Sequence, residues 1–224
     1  MKHCIRALPP SFEFAIVVVA AFGIFIAGSL LAVLAPTDGE SAPINNAHLR
    51  SLIAYEAVVG VLLLTFLRIR QWTLQSLGIM PSLRETLVGI GLAIAAYLAY
   101  VVVFLIAAHL SPYIAQAAAE LTLVAPGLSV PLVIVASIVN PIFEELFVSG
   151  YVISALRERR GFWTAVNASI AIRLSYHLYQ GPIGVINIIP LGFIFALWYG
   201  RTGRLWPLIV AHAIFDVVGL LAAG

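Results

Sequence analysis

Charged residues and cysteines are scarce in this sequence, and each scarcity excludes a class of protein. Of the 224 residues, 10% are charged and 62% are hydrophobic, and the mean hydropathy is +1.06. Soluble globular domains carry about 25% charged residues, so the composition predicts an integral membrane protein. The single cysteine, Cys4, excludes an internal disulfide and a cysteine-based metal site. The net charge of +2 and the lack of a Gly-rich phosphate loop predict no nucleic-acid partner.

Lysine is almost absent. Lys2 is the only lysine among the 12 basic residues, and alanine and valine are abundant. This usage is typical of a GC-rich bacterial genome, so we expect the bacterial inner membrane as the location.

Long apolar runs predict an all-α bundle of about seven transmembrane helices, since each run is near the ~20 residues that a bilayer core requires. The predicted spans are 14–34, 49–67, 86–110, 130–156, 162–178, 185–199 and 205–221. The first is longer than the ~7–15 apolar residues of a signal peptide and is expected to be a retained anchor. We expect a single membrane domain, 1–224, in which 1–128 holds the N-terminal helices and a linker and 129–224 forms a catalytic four-helix core.

The loop charges predict the orientation of these spans. Arginines are concentrated in alternate connections, and the intervening ones carry acids and, apart from Arg50, almost no basic residue. Because cytoplasmic loops carry an excess of Lys and Arg, this alternation predicts a cytoplasmic N-terminus. The basic residues are Lys2, Arg6, Arg68, Arg70, Arg84, Arg157, Arg159, Arg160, Arg201 and Arg204, and the acids are Asp38, Glu40 and Glu120.

Seven ionisable residues lie near the middle depth of the predicted spans, where a charged side chain costs about 2.5–3.5 kcal/mol on insertion scales. Such residues usually face a bundle interior or a wet cavity and mark function. They are Glu56, Glu144, Glu145, Arg173, His177, His212 and Asp216. Glu56 is expected to have a helix-packing or near-surface role, whereas the other six lie in the last four spans.

The spacing of these six residues brings them to one layer of the membrane. Arg173 and His177 are four residues apart, as are His212 and Asp216, so each pair is expected to share one face of a helix. At a rise of about 1.5 Å per residue, all six lie roughly 12–24 Å from the cytoplasmic ends of their spans.

The adjacent acids Glu144 and Glu145 point about 100° apart around their helix. One can therefore face the centre of the bundle while the other leans toward a neighbouring helix. Asn140 and Pro141 precede them by one turn, and the proline removes a backbone donor and frees the carbonyl of Ser137. A kink or local polarity beside the acids is expected.

Two imidazoles and three carboxylates in one buried layer are suited to activating a water molecule. A carboxylate beside a second acid can accept a proton, a histidine can position the water, and a further polar pair can stabilise an oxyanion. The same groups can bind a divalent metal such as zinc through nitrogen and oxygen ligands, so both mechanisms stay open. No serine or cysteine with a paired base stands out, which favours direct attack by water.

Three stretches resemble the successive motifs of the CPBP family of intramembrane proteases, also called the CAAX-protease, bacteriocin-processing or Abi family. They are EELFVSGY, RLSYHLYQG and RTGRLWPLIVAHAIFD, and the upstream LGIMPSLRETLVG is similar to a segment that often precedes them. The resemblance, from 77 to 216, implies an endopeptidase that hydrolyses a peptide bond in or beside the membrane. It implies that Glu144 and His177 activate the water and that His212 and Asp216 bind the oxyanion or, with the first two, a metal.

One position departs from the family pattern. Ser149 stands where the first motif normally has arginine, and that arginine would lie one turn from Glu145 and neutralise it. Arg173, at nearly the same estimated depth, is expected to supply the charge instead, so Glu145 and Arg173 are supporting residues. Asp216 replaces the commoner asparagine and requires a proton or a metal to stabilise an oxyanion.

Two other classes of protein remain open. The loss of the motif arginine at Ser149 favours a non-catalytic CPBP-like membrane scaffold or immunity protein. A proton- or ion-coupled transporter would also bury Glu, His and Asp, but transporters commonly carry inverted repeats and this sequence has none that we detect. The expected partners are membrane lipids and a membrane-associated peptide or protein substrate. The oligomeric state does not follow from the sequence.

Overall fold

A computed structural model describes residues 8–34, 43–121 and 123–223. Over these ranges the chain is helical, and its one β-type contact is an isolated parallel bridge between Ile44 and Val124. Some residues used in the sequence analysis lie outside the described residues, namely Lys2, Cys4, Arg6, Asp38 and Glu40.

Every predicted span corresponds to a helix or a continuous helical run, except that 162–178 continues past Ser175, where its helix ends, into a turn. The helices are α1 (Pro10–Leu34), α2 (Asn46–Ile69), α3 (Leu83–Leu110), α4 (Pro112–Glu120), α5 (Val130–Glu144), α6 (Val152–Arg160), α7 (Phe162–Ser175), α8 (Gly181–Thr202) and α9 (Trp206–Ala223). A π-helical segment, Glu145–Tyr151, joins α5 to α6, and a 3₁₀ turn, Leu178–Gln180, joins α7 to α8.

Five helical runs in the described ranges are long and apolar enough to cross a membrane, namely α1, α2, α3, the run Val130–Arg160 and the run Leu178–Thr202. Helix α7 has only 14 residues, and α9 is apolar over Trp206–Ala222. The helical membrane fold is therefore confirmed. The count of seven spans and the cytoplasmic N-terminus stay predictions.

Local sequence signals set several helix ends. The Asn45 side chain caps α2 by accepting two backbone N–H groups of the first turn, at 2.9 and 3.0 Å. Ser82 caps α3 in the same way. Gly161 and Gly203 follow α6 and α8 with φ of 87° and 65°, a backbone conformation that favours glycine and ends a helix.

The three arginine-rich connections between described helices meet at one end of the bundle, which we call the arginine end. The backbone N–H of Leu205, between α8 and α9, donates to the Gly78 carbonyl in the α2–α3 connection at 2.9 Å. The Arg157 guanidinium on α6 donates to the carbonyl of Gly200 on α8. The opposite end, which we call the far end, holds the connections α1–α2, α3–α5 and α7–α8.

Helices from both parts of the chain pack into one bundle. Helix α9 lies against α3 and α5, while α7 lies against α6 and α8. Gly89 allows the close approach of α3 to α9, since a Cβ there would lie 2.7 Å from the Val210 side chain and 2.8 Å from the Pro207 carbonyl oxygen. The division into N-terminal helices and a catalytic core after residue 128 stays a prediction.

Candidate active site

The helix changes geometry at the two adjacent acids. Helix α5 ends at Glu144, and a π-helical segment begins at Glu145. Pro141 lies inside α5 one turn earlier, where it cannot donate a backbone hydrogen bond. Single π-turns within α-helices are frequent at functional sites. Glu145 is fully buried and Glu144 is 8% exposed, so the two acids have different surroundings, as predicted.

Glu145 is the centre of a buried polar cluster. Nη2 of Arg173 lies 2.7 Å from both of its carboxylate oxygens, and the Ser149 hydroxyl donates to Oε2 at 2.7 Å. Nδ1 of His212 is 2.8 Å from Oε1. An ionised carboxylate only accepts hydrogen bonds, so beside Arg173 it is Nδ1 that donates. The expected contact of Arg173 with Glu145 is thus present.

Glu144 is held by one oxygen more firmly than by the other. Its Oε2 accepts the Tyr176 hydroxyl at 2.6 Å and lies 3.4 Å from Nη1 of Arg173. Its Oε1 has a single long contact with Nδ2 of Asn140, at 3.3 Å. Because a hydrogen bond of that length is weak, Oε1 is the oxygen that retains the capacity to accept a proton.

Asn140 joins a third carboxylate to this arrangement. Its Nδ2 donates to Oε1 of Glu56 at 2.7 Å, so one amide nitrogen spans two acids from two helices. Glu56 is 2% exposed, and its Oε2 is buried without a hydrogen-bond partner. A near-surface role for Glu56 is therefore wrong, because this carboxyl lies next to Glu144 in the interior.

His177 does not lie on a helix. Helix α7 ends at Ser175, and His177 occupies the turn that leads into the following 3₁₀ segment, with φ of −111° and ψ of 0°. The inference that Arg173 and His177 share one face of a continuous helix is therefore wrong. Nδ1 of His177 is buried without a partner, and its ring centroid lies 4.7 Å from that of Tyr176.

His212 and Asp216 do share one face of α9, as predicted. Nε2 of His212 lies 3.5 Å from Oδ1 of Asp216, at the i,i+4 spacing. Nδ1 is hydrogen-bonded to Glu145, so this bond orients the ring and leaves Nε2 directed toward Asp216. The two residues thus connect the Glu145 cluster to the side of α9 that carries Asp216.

A cavity of about 470 Å³ brings several of these side chains together. Glu144, His177 and Asp216 line it, and so do Glu56 and Asn140. Glu145, Arg173 and His212 are not among its lining residues, and they lie behind Glu144 and Asp216. The predicted site residues thus form two groups. Glu144, His177 and Asp216 face the cavity, and Glu145, Arg173 and His212 lie behind them.

One group of side chains in this site has the spacing that a divalent metal requires. Among the described residues, the group of His, Cys, Asp and Glu whose ligand atoms all lie within 4.8 Å of one another is Glu144, Glu145 and His212. Both oxygens of Glu145 already accept hydrogen bonds from Arg173, and a cation there would lie beside a guanidinium. This group does not fit a metal ion. The wider set of Glu144, His177, His212 and Asp216 stays a prediction.

The sequence did not identify Tyr176 and Asn140 as site residues, and it did not assign Glu56 to the site. Tyr176 is adjacent to His177, but its side chain carries no charge. The burial cost that marks an ionisable residue therefore does not mark Tyr176. Asn140 lies four residues before Glu144, and that spacing puts both on one helix face, which is the signal that could have identified it. For Glu56, the only signal in the sequence was the free-energy cost of placing a carboxylate inside a predicted span.

Part of this chain matches a known protein family. Residues 126–218 match the model of a family described as "Rce1-like: Type II CAAX prenyl endopeptidase Rce1-like". The resemblance to the CPBP family is confirmed. The matched segment contains Glu144, His177, His212 and Asp216, whereas the part of the resemblance between 77 and 125 lies outside it.

A curated relative supports the same family. "Putative membrane peptidase YdiL" of Bacillus subtilis is 36% identical to this chain over 89 residues, which are 39% of this chain. The alignment spans 36% of the length of that relative, so the chain matches about a third of it. No solved structure matches this chain.

Proposed function

We propose that this protein is an intramembrane endopeptidase of the CAAX-protease type that hydrolyses a peptide bond with water activated by Glu144 and His177. The observation that carries the proposal is the unequal environment of the two Glu144 oxygens. Oε2 is fixed by the short hydrogen bond from Tyr176 at 2.6 Å, and Oε1 is left weakly bonded in a carboxylate that lines a cavity. A base needs one fixed and one available oxygen.

In this mechanism Oε1 of Glu144 accepts a proton from a water molecule. The water oxygen forms a bond to the carbonyl carbon of the scissile peptide, and the carbonyl electron pair moves onto its oxygen. When the tetrahedral intermediate collapses, the carbon–nitrogen bond breaks and the leaving amine takes the proton from Glu144. General-base assistance of this kind contributes about 10²–10⁴-fold to a rate.

The remaining residues orient the reactants. His177 lines the same cavity, and its buried Nδ1 has no protein partner, so it is available to a water or a peptide group. His212 donates from Nδ1 to Glu145, and its Nε2, which lies 3.5 Å from Asp216, is a donor to the oxyanion when it is protonated. A donor aimed at a developing oxyanion contributes about 10²–10³-fold.

The test is cleavage of a broad peptide library by purified protein in nanodiscs. Wild type and Glu144→Gln are compared, with Glu120→Gln as the matched control because Glu120 is exposed and bonds only to Gln116 in its own helix. We expect cleavage by wild type and by Glu120→Gln, and none by a folded Glu144→Gln. Equal cleavage by all three would overturn the proposal.

The non-catalytic scaffold is the second candidate, and Ser149 is the residue that favours it. No cleavage by well-folded wild-type protein across the library would support it. A transporter predicts uptake of a substrate driven by a proton or ion gradient in liposomes, and the same preparation of purified protein serves that assay.

A further inference from the structure

We infer that the active-site cavity opens toward the far end of the bundle, on the side of the membrane opposite the arginine-rich loops. If those loops are cytoplasmic, the peptide substrate enters from the extracytoplasmic side. The identity of the occupant as a peptide rests on the proposed function. The position of the opening does not.

The residues that line the cavity define its direction. Glu144 and Asn140 lie at its inner limit on α5. Its other walls come from the halves of α1, α2 and α9 that approach the far end, and from the connections located there. The lining residues nearest that end are Ala32, Ile44, His48, Leu123, Gln180 and Leu220. The arginine-rich connections contribute no described residue to it.

The length of one helix explains why a cavity exists there. Helix α7 has 14 residues, which at about 1.5 Å per residue span roughly 20 Å, and a bilayer core is about 30 Å thick. Its turn, at His177 and the segment Leu178–Gln180, therefore stops short of the far surface. Helix α1 has 25 residues and continues for roughly 37 Å, so it forms a wall above the turn.

A network of polar contacts separates the active-site cavity from the arginine end. The buried Glu13 carboxylate on α1 pairs with Arg70 and accepts hydrogen bonds from Trp72 Nε1 at 2.9 Å and the Tyr151 hydroxyl at 3.1 Å. These bonds tie α1, the end of α2 and the π-helical segment together. A second cavity lies there, and none of its lining residues belongs to the first.

The chemistry of the lining restricts the substrate. Glu56, Glu144 and Asp216 are acidic, and no arginine or lysine of the described chain lines the cavity. The other walls are largely apolar, with Phe22, Phe25, Leu49 and Leu52 among them. The cavity therefore suits an apolar peptide segment without acidic side chains. A peptide presented at the arginine end would not meet this cavity.

Cysteine accessibility tests the direction of the opening without any catalytic readout. Cys4 is the only native cysteine, so Cys4→Ser gives a background without thiols. Gly28→Cys places a thiol on the cavity wall, where a Cβ meets no atom within 4 Å. Ser11→Cys places a thiol in the second cavity, at the arginine end. Val61→Cys is the lipid-facing control, because Val61 lies on an exposed apolar face and lines neither cavity.

Each variant is treated with a membrane-impermeant methanethiosulfonate in intact spheroplasts and in inside-out vesicles. We expect Gly28→Cys to react in spheroplasts and Ser11→Cys to react only in inside-out vesicles, with Val61→Cys unreactive in both. Reaction of Gly28→Cys from the same side of the membrane as Ser11→Cys, or in neither preparation, would overturn the inference. Reaction of the two variants from opposite sides with the pattern reversed would keep the opening opposite the arginine-rich loops and overturn only the extracytoplasmic entry. The peptide-library assay fails or succeeds separately, because labelling requires no hydrolysis.

Discussion

Nη2 of Arg173 lies 2.7 Å from both carboxylate oxygens of Glu145, and Nη1 lies 3.4 Å from Oε2 of Glu144. One guanidinium on α7 therefore serves both adjacent acids of α5 and the π-helical segment. Arg173 is 1% exposed, so neither the cation nor Glu145 has water as an alternative partner. In the family motif the arginine lies on the same helix as the acid. Here the guanidinium that pairs with Glu145 comes from a neighbouring helix.

Removal of Arg173 is expected to cost both stability and activity. Breaking a buried ion pair by deleting one partner costs about 3–5 kcal/mol, since the other charge is left uncompensated. We expect Arg173→Met to lower the thermal midpoint in nanodiscs and to abolish cleavage. Arg201→Met, at an exposed arginine, is the matched control. Wild-type stability and cleavage in Arg173→Met would disprove the relocated charge.

Restoring the motif arginine is expected to compensate for that loss. The Ser149 side chain is buried and bonds to Glu145 at 2.7 Å, so an arginine there reaches the same carboxylate. Ser149→Arg alone brings two cations together and should destabilise the protein. In the Arg173→Met background it should regain part of the thermal stability. A double-mutant cycle measures the coupling, and additive effects of the two changes would contradict it.

Tyr176 is expected to hold Glu144 in its working position. Hydrogen bonds to charged groups contribute about 1.5–3 kcal/mol, so Tyr176→Phe should lower kcat by roughly 10- to 100-fold with little change in KM. Tyr199→Phe is the control, because the Tyr199 hydroxyl bonds to Ser154 and the Leu77 carbonyl at the arginine end. An unchanged kcat for Tyr176→Phe would exclude this role.

A chelator separates the two mechanisms left open by the sequence. Glu145 is occupied by Arg173, so we expect cleavage to proceed at an unchanged rate after dialysis against EDTA. The assay compares treated wild type with treated protein to which zinc is returned. Loss of cleavage that zinc restores would show that a metal takes part and would favour the wider set of Glu144, His177, His212 and Asp216.

The sequence predicted the helices well because long apolar runs are a property of the chain itself. It predicted the separation of Glu144 from Glu145 and the contact of Arg173 with Glu145 for a similar reason. Both follow from helix geometry and from depth along a helix, which the rise per residue determines.

The sequence did not predict contacts that depend on where a helix stops. The end of α7 at Ser175 puts His177 in a turn, and no proline or glycine marks that boundary in the sequence. Asn140 and Glu56 meet across two helices whose rotation is set by packing. Such a contact cannot be read from the spacing within either helix.

Glu56 is expected to act on Glu144 through Asn140. Nδ2 of Asn140 is 2.7 Å from Glu56 and 3.3 Å from Glu144, so Glu56 draws the amide away from the oxygen that acts as base. Glu56→Leu removes that acceptor, and Asn140 is then free to bond Glu144 more closely. We expect kcat to fall while KM stays near its wild-type value.

The stability of the same variants distinguishes this role from simple packing. Glu56 Oε2 is buried without a partner, and burying a polar atom without a hydrogen bond costs free energy that an apolar side chain does not incur. We expect Glu56→Leu to keep or raise the thermal midpoint while losing activity. Glu56→Gln, which retains an oxygen acceptor for Asn140, should recover most of the kcat. A lowered midpoint in Glu56→Leu with unchanged kcat would assign Glu56 to helix packing alone.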